Sequence, residues 1–149
     1  MGEDVRIVPI TLFGGITMGW RDNAKIADMV GKTYSKVWAS KDKSELYFEL
    51  PDGSKYVFYH NQDCCEHVQI EDICGDLADL VGVPLVMATE ETSDTDPEDY
   101  KGASDYRESF TWTFYKFGTV KGYVTVRWLG ESNGYYGEGV DLNYEGRAN

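Results

Sequence analysis

Residues 109–129 read SFTWTFYKFGTVKGYVTVRWL, and the alternation within them decides what kind of fold this chain adopts. Phe110, Trp112 and Phe114 alternate with Thr111, Thr113 and Tyr115, the period of two that sends successive side chains to opposite faces of a strand. Lys121-Gly122 breaks the run with a turn, and residues 123–129 return as a second strand. Ser132-Asn133-Gly134 is a further tight-turn signal, Asn-Gly being a favoured primed-turn pair, and it leads into a strand over 135–144. The C-terminal third is therefore expected to be a three-stranded antiparallel meander.

Upstream, residues 46–50 and 55–59 flank Pro51-Asp52-Gly53-Ser54, which joins them as a hairpin. Val68 and Ile70 alternate with His67 and Gln69, as in a half-buried strand over 66–70. Two stretches resemble each other: Ala27-Asp28-Met29-Val30-Gly31 precedes 33–39, and Ala78-Asp79-Leu80-Val81-Gly82 precedes 84–89. Each reads as a short helix, stopped by a glycine able to take the left-handed conformation and followed by a strand. Asp22 or Asn23 is placed to cap the first helix, and Asp72 or Asp76 the second. The match is short, but both helices feed a sheet in the same way. The expected fold class is α+β: a single domain over 1–149, a twisted and mainly antiparallel sheet of about seven or eight strands with two short helices. Residues 1–20 are expected as an N-terminal arm or edge strand, because 5–10 alternates weakly and meets Pro9.

A chain of 149 residues has the size of one domain and buries roughly 70% of the surface its unfolded form exposes, so it needs no metal or disulfide staple. No apolar run approaches the roughly 18 residues of a membrane span, and no basic region followed by an apolar stretch opens the chain; a soluble, cytoplasmic protein is expected. Three cysteines, two of them adjacent, do not make a secreted disulfide framework. The net charge of −12 argues against direct contact with nucleic acid and suits either solubility or a basic partner. Residues 90–108, EETSDTDPEDYKGASDYRE, hold eight acidic and two basic residues with almost no aliphatic content, and read as an acidic mobile loop. Asp94-Thr95-Asp96 begins a calcium-loop pattern that Pro97 breaks.

The densest polar cluster is His60, Asp63, Cys64, Cys65, Glu66 and His67. As a zinc site it lacks the usual ligand spacings, and adjacent cysteines on a strand point to opposite faces. As a Cys–His nucleophile it needs a thiolate of lowered pKa beside a histidine, and the acidic surroundings work against that. The structural reading is a bend in which Asp63 bonds its own backbone and the cysteines pack inside; the remaining reading is non-covalent ligand recognition through His60 and Asp63. A second candidate is Gly130-Glu131-Ser132-Asn133-Gly134-Tyr135-Tyr136, a turn whose tyrosine faces, Ser132 and Asn133 suit the wall of a pocket for a planar ligand. Arg127 is either a salt-bridge partner for nearby acids or the cation for a phosphate or carboxylate. No P-loop, Gly-x-Gly-x-x-Gly, Gly-x-Ser-x-Gly or His-Glu-x-x-His motif is present, so no catalytic residue, metal or cofactor is expected.

The runs Tyr59-His60-Asn61-Gln62-Asp63-Cys64-Cys65-Glu66, Ile70-Glu71-Asp72-Ile73, Gly75-Asp76-Leu77 and 79–84, together with 110–116 and 127–136, resemble a family of small bacteriophage and prophage proteins described as a domain of unknown function. The resemblance covers about Asn23 to Asp141. It implies a phage context, in which small proteins without enzymatic motifs act by binding host defence proteins or the nucleotide signals those defences make. The expected function is thus a non-enzymatic phage accessory protein, a counter-defence factor sequestering a small nucleotide-type signal. The alternative is an acidic inhibitor that docks on a basic host defence or nucleic-acid-binding protein. The ligand-binding residues are expected to be His60, Asp63, Arg127, Ser132, Asn133, Tyr135 and Tyr136, converging on one cleft that a homodimer would complete.

Overall fold

The computed structural model of this chain describes residues 8–11, 17–103 and 107–147. Two antiparallel sheets pack face to face. Ten strands are present among the described residues: β1 Val8–Thr11, β2 Thr17–Asn23, β3 Lys36–Ala39, β4 Leu46–Glu49, β5 Lys55–Tyr59, β6 His67–Cys74, β7 Met87–Ser93, β8 Ser109–Thr119, β9 Gly122–Ser132 and β10 Asp141–Arg147. One sheet has the order β1-β2-β10-β5-β4-β3 and the other β6-β9-β8-β7. Phe48 and Phe58 of the first sheet meet Phe117 and Tyr115 of the second at ring-centroid separations of 4.8 and 4.7 Å. Val124, Val126 and Trp128 of β9 and Val68 and Ile70 of β6 complete the shared core.

The α+β expectation is corrected: no α-helix occurs among the described residues, and the two stretches read as helices are single 3-10 turns, Ile26–Met29 and Leu77–Leu80. Cap and stop signals are common to both helix types, and only a few residues separate cap from glycine here, too few for a stable α-helix. Asp76 caps the second turn by accepting from the Ala78 N–H at 2.9 Å. The first has Lys25 at its cap position with no side-chain cap; Asp22 and Asn23 belong to β2 instead. Gly31 and Gly82 do take the left-handed conformation, with φ of 92° and 84°.

The short sequence match marks a real symmetry of the fold. The Gly31 N–H donates to the Leu85 carbonyl at 2.7 Å, and the Gly82 N–H donates to the Tyr34 carbonyl at 2.9 Å. Gly31 and Tyr34 correspond to Gly82 and Leu85 at one constant displacement along the chain, so these bonds are the same bond made in both directions. Thr33 bridges Pro84, its own counterpart, and Met29, Tyr34, Leu80 and Leu85 are all fully buried. Each turn opens a three-stranded meander, β3-β4-β5 in one sheet and β7-β8-β9 in the other. Each meander then sends its next strand across the molecule. β6 pairs with β9, and β10 pairs with β5, so each half completes the sheet of the other.

That exchange corrects the expected C-terminal meander. The Asn-Gly turn forms, with the Asn133 side chain accepting from the Tyr135 N–H at 3.0 Å and Gly134 at a φ of 95°, but it opens a crossover rather than a hairpin. β10 inserts between β2 and β5. Of the expected N-terminal arm, residues 1–7 and 12–16 lie outside the described residues; β1 is at a sheet edge and β2 lies inside the sheet. Glu90 to Ser93, at the start of the acidic stretch, belong to β7. Among the described residues no helix is long and apolar enough to cross a membrane.

Gly31→Ala is expected to cost about 1–2 kcal/mol, because an L side chain pays the left-handed penalty there and nothing lies within 4 Å to clash or compensate. Gly82→Ala should cost about the same. Gly137→Ala, equally open and without a left-handed φ, should stay within about 0.5 kcal/mol. Urea unfolding midpoints of the three variants provide the check.

Candidate functional site

The two crossovers, residues 60–66 and 133–140, meet each other. His60 Nδ1 lies 2.7 Å from the Gly139 carbonyl oxygen, and the Asn61 N–H donates to Asp141 at 3.0 Å. The other ring nitrogen, Nε2, lies 2.7 Å from Glu66 Oε2. Oxygens that accept hydrogen bonds therefore face both nitrogens of His60. Glu66 is the anchor of the first crossover. Its side chain is fully buried and also accepts the backbone N–H groups of Asp63 at 2.7 Å and Cys64 at 2.9 Å. The His60 hydrogen bond outweighs the desolvation of this site and, with the two N–H groups, brings the Glu66 carboxyl down to about 2.

A second carboxylate anchors the other crossover. Glu138 accepts from the Thr111 hydroxyl at 2.7 Å and the Ser132 hydroxyl at 2.5 Å, and Ser109 adds a third hydrogen bond. Desolvation pushes its pKa up, but the three hydroxyls together hold it below the ordinary glutamate range. Gly130 makes room for this passage, because a Cβ there would collide with the Glu138 carbonyl oxygen.

On the outer face of the β6-β9-β8-β7 sheet, part of the acidic stretch is seated on Trp112, which is fully buried. Asp96 accepts from the Trp112 indole N–H at 2.9 Å and takes both its oxygens to Arg107 at 2.6 Å; the Arg107 bonds hold its carboxyl below the usual range. Tyr100 meets the indole edge-on at 4.9 Å, and the Arg127 guanidinium lies 5.2 Å from its ring centre. Arg127 is ion-paired to Glu71 at 2.6 Å and Asp99 at 2.9 Å.

Between the sheets, beside the second crossover, lies a cleft of about 540 Å³ lined by residues 23–26, Phe58, Glu90, Tyr115 and 140–142. Tyr115 is buried, and its hydroxyl donates to Glu90 at 3.0 Å; burial and the adjacent carboxylate raise its pKa well above the usual range. Ile26, Phe58, Val140 and Leu142 give apolar walls, while Asn23, Lys25, Glu90 and Asp141 give polar groups. The Lys25 ammonium has no ion-pair partner among the described residues.

The seven residues expected to share a pocket are thus distributed over three places. His60 and Asp63 sit on the first crossover, and Ser132, Asn133, Tyr135 and Tyr136 at the start of the second; His60 reaches that segment through Gly139. Arg127 is on the outer sheet face among acids, apart from them. Ser132 is taken up by Glu138, while Tyr135 is 88% exposed. The structural bend at 60–66 is made by Glu66 rather than by Asp63, and its cysteines are exposed and joined to each other rather than packed inside. Among the described residues no cluster of three or more His, Cys, Asp and Glu is arranged to hold a metal ion. The cleft residues Lys25, Glu90 and Tyr115 carry no motif: Glu90 and Tyr115 meet only as register partners of β7 and β8, and Lys25 joins them from the start of the first 3-10 turn.

A group whose folded pKa is depressed contributes stability above its unfolded pKa and loses it as pH falls through the folded value. For Glu66 that window runs from about 4.5 down to about 2. Glu66→Gln is expected to lower the urea midpoint at pH 7, and the gap to the wild type should close as pH is taken from 5 to about 2. A gap that stays constant over that range would assign the loss to shape rather than charge.

No curated protein and no solved structure matches the chain. A family described as a domain of unknown function, DUF7448, matches residues 27–142, a span that begins in the first 3-10 turn and includes both meanders and both crossovers. The chain belongs to that family.

Proposed function

We propose that this is a non-enzymatic binding protein that holds a small nucleotide-type ligand in the cleft between its sheets, and that it serves a phage as a counter-defence factor by sequestering such a signal. The observation that carries the reading is the cleft itself. Its volume of about 540 Å³ falls within the roughly 300–1,000 Å³ of small-molecule sites, and its walls mix apolar side chains with nearly as many polar and charged ones, more polar than the usual small-molecule site. Ile26, Val140 and Leu142 suit one face of a planar ring, and Glu90, Asp141 and Asn23 suit the hydroxyl and amine donors of a nucleoside. Lys25 is the ammonium of the lining, set against two carboxylates. That balance favours a ligand with one phosphate, since each further negative charge meets Glu90 and Asp141 with no second cation among the described residues of the lining.

The alternative, an acidic inhibitor of a basic host protein, draws on the exposed carboxylates of Glu90, Glu91, Asp94, Glu98 and Asp99 along the edge strand β7 and the segment after it. Charge of one sign on one edge steers encounter with a basic surface.

A thermal-shift series with adenosine, mononucleotides, cyclic dinucleotides, ADP-ribose and ATP separates the two. A ligand present at a hundredfold excess over its Kd is expected to raise the melting temperature by about 5–10 °C. Mononucleotides should outperform ATP, and Lys25→Ala should remove the phosphate-dependent part of the shift. No shift with any nucleotide, together with salt-sensitive co-purification of a basic host protein, would establish the alternative.

A further inference from the structure

We propose that Cys64–Cys65 is an exchange site for low-molecular-weight thiols, and that opening or closing this bond sets the latch between the two crossovers. The adjacent cysteines are joined as a disulfide, and both residues are exposed. A bridge between neighbours closes no chain loop, so it gives none of the cross-linking stabilisation that a structural disulfide provides. Its exposure instead admits an external thiolate to sulfur, which exchange requires and which buried bridges prevent. Closing the ring ties both side chains to the peptide between them and so fixes the backbone at this point of the bend.

That backbone is wired to the latch. The Cys64 N–H donates to Glu66, and the Gln62 amide holds the Glu66 carbonyl at 2.7 Å. Glu66 in turn fixes His60, which reaches Gly139, and the neighbouring Asn61 N–H holds Asp141. Gly139 and Asp141 flank Val140, and 140–142 form one wall of the cleft. A change at the cysteine pair is therefore passed through one buried carboxylate to the opposite crossover. Only this last step, from crossover to cleft, rests on the binding function proposed above.

The chemistry balances with thiols alone. A thiolate attacks one sulfur, the protein S–S bond breaks, and the partner cysteine leaves as a thiolate that takes up a proton. A second thiol attacks the resulting mixed disulfide, so two small thiols are oxidised to their disulfide while the cysteine pair is reduced to two thiols. A small disulfide reverses the sequence.

The test uses full-length protein carrying Cys74→Ser, because Cys74 is a free, exposed cysteine that would react independently. Equilibration of the previously reduced protein with glutathione disulfide is expected to lower the intact mass by about 2 Da relative to the reduced form, leave no glutathione attached and leave no thiol titratable by Ellman's reagent; dithiothreitol should restore both thiols. Hydrogen–deuterium exchange of 59–66 and 138–142 should rise by about tenfold on reduction, the scale of losing a charged hydrogen bond. Adding Cys64→Ser and Cys65→Ser should hold those segments at one exchange rate whatever thiol is present. Glutathione adducts in place of a closed pair would overturn the exchange site. A closed pair with unchanged exchange at 138–142 would overturn the latch. Neither readout involves a nucleotide, so failure of the binding function would show separately.

Discussion

The reciprocal hydrogen bonds between Gly31 and Leu85 and between Gly82 and Tyr34 are the contact on which the rest of this structure depends. Each bond needs a glycine turned into the left-handed region immediately after a 3-10 turn, and each is repeated by the other half of the chain. Around them Met29, Tyr34, Leu80 and Leu85 are removed from water completely. The Tyr34 hydroxyl is satisfied in this apolar setting by the Met29 carbonyl at 2.9 Å, so the buried tyrosine leaves no unpaired donor. With the turns locked together, the two meanders are held as opposing sheets, and the aromatic rings between them interdigitate.

The exchange of β6 and β10 is the second constraint, and it explains where the polar chemistry lies. A chain that must leave one sheet and enter the other carries backbone groups through a region where strand partners are missing. On the first crossover Glu66 meets this need by accepting two backbone N–H groups along with His60; on the second, Glu138 ties the segment to the sheet through the hydroxyls of Ser109, Thr111 and Ser132. The density of functional-looking residues at 60–67 is thus first a solution to crossing between sheets. The cleft next to it follows from the same event, because its wall at 140–142 is the end of the second crossover.

The acidic composition is handled locally. Although carboxylates predominate, Arg107 and Arg127 are each placed against two of them on the outer sheet face, and the indole of Trp112 fills the space between. Glu90 of β7 is taken up by the Tyr115 hydroxyl, while its neighbour Glu91 is exposed at the edge of the sheet, where charge also discourages pairing with another strand.

Much of the local structure was legible in the residues. The alternation at 109–119 gave β8 its bounds, Pro51-Asp52-Gly53-Ser54 gave the β4-β5 hairpin, and Gly31 and Gly82 announced their left-handed conformation. These are properties of a period of two and of turn chemistry, which act over a few residues. The helical stretches form 3-10 turns instead because cap and stop residues do not distinguish one 3-10 turn from a short α-helix. β10 lies between β2 and β5 rather than beside β9, because alternation states which faces a strand has and not which strand it lies beside. His60 and the 133–140 segment did come together, but through the Gly139 carbonyl, a backbone atom to which no side-chain pattern points. Arg127 went to acids on the opposite sheet face because an odd or even position on β9 selects the face, while the choice of core face is made by packing. The sequence by itself determined strands, turns and the sites of left-handed glycine; the pairing across the molecule, the carboxylate anchors and the cleft were decided only when two halves with similar local preferences buried their apolar faces against each other.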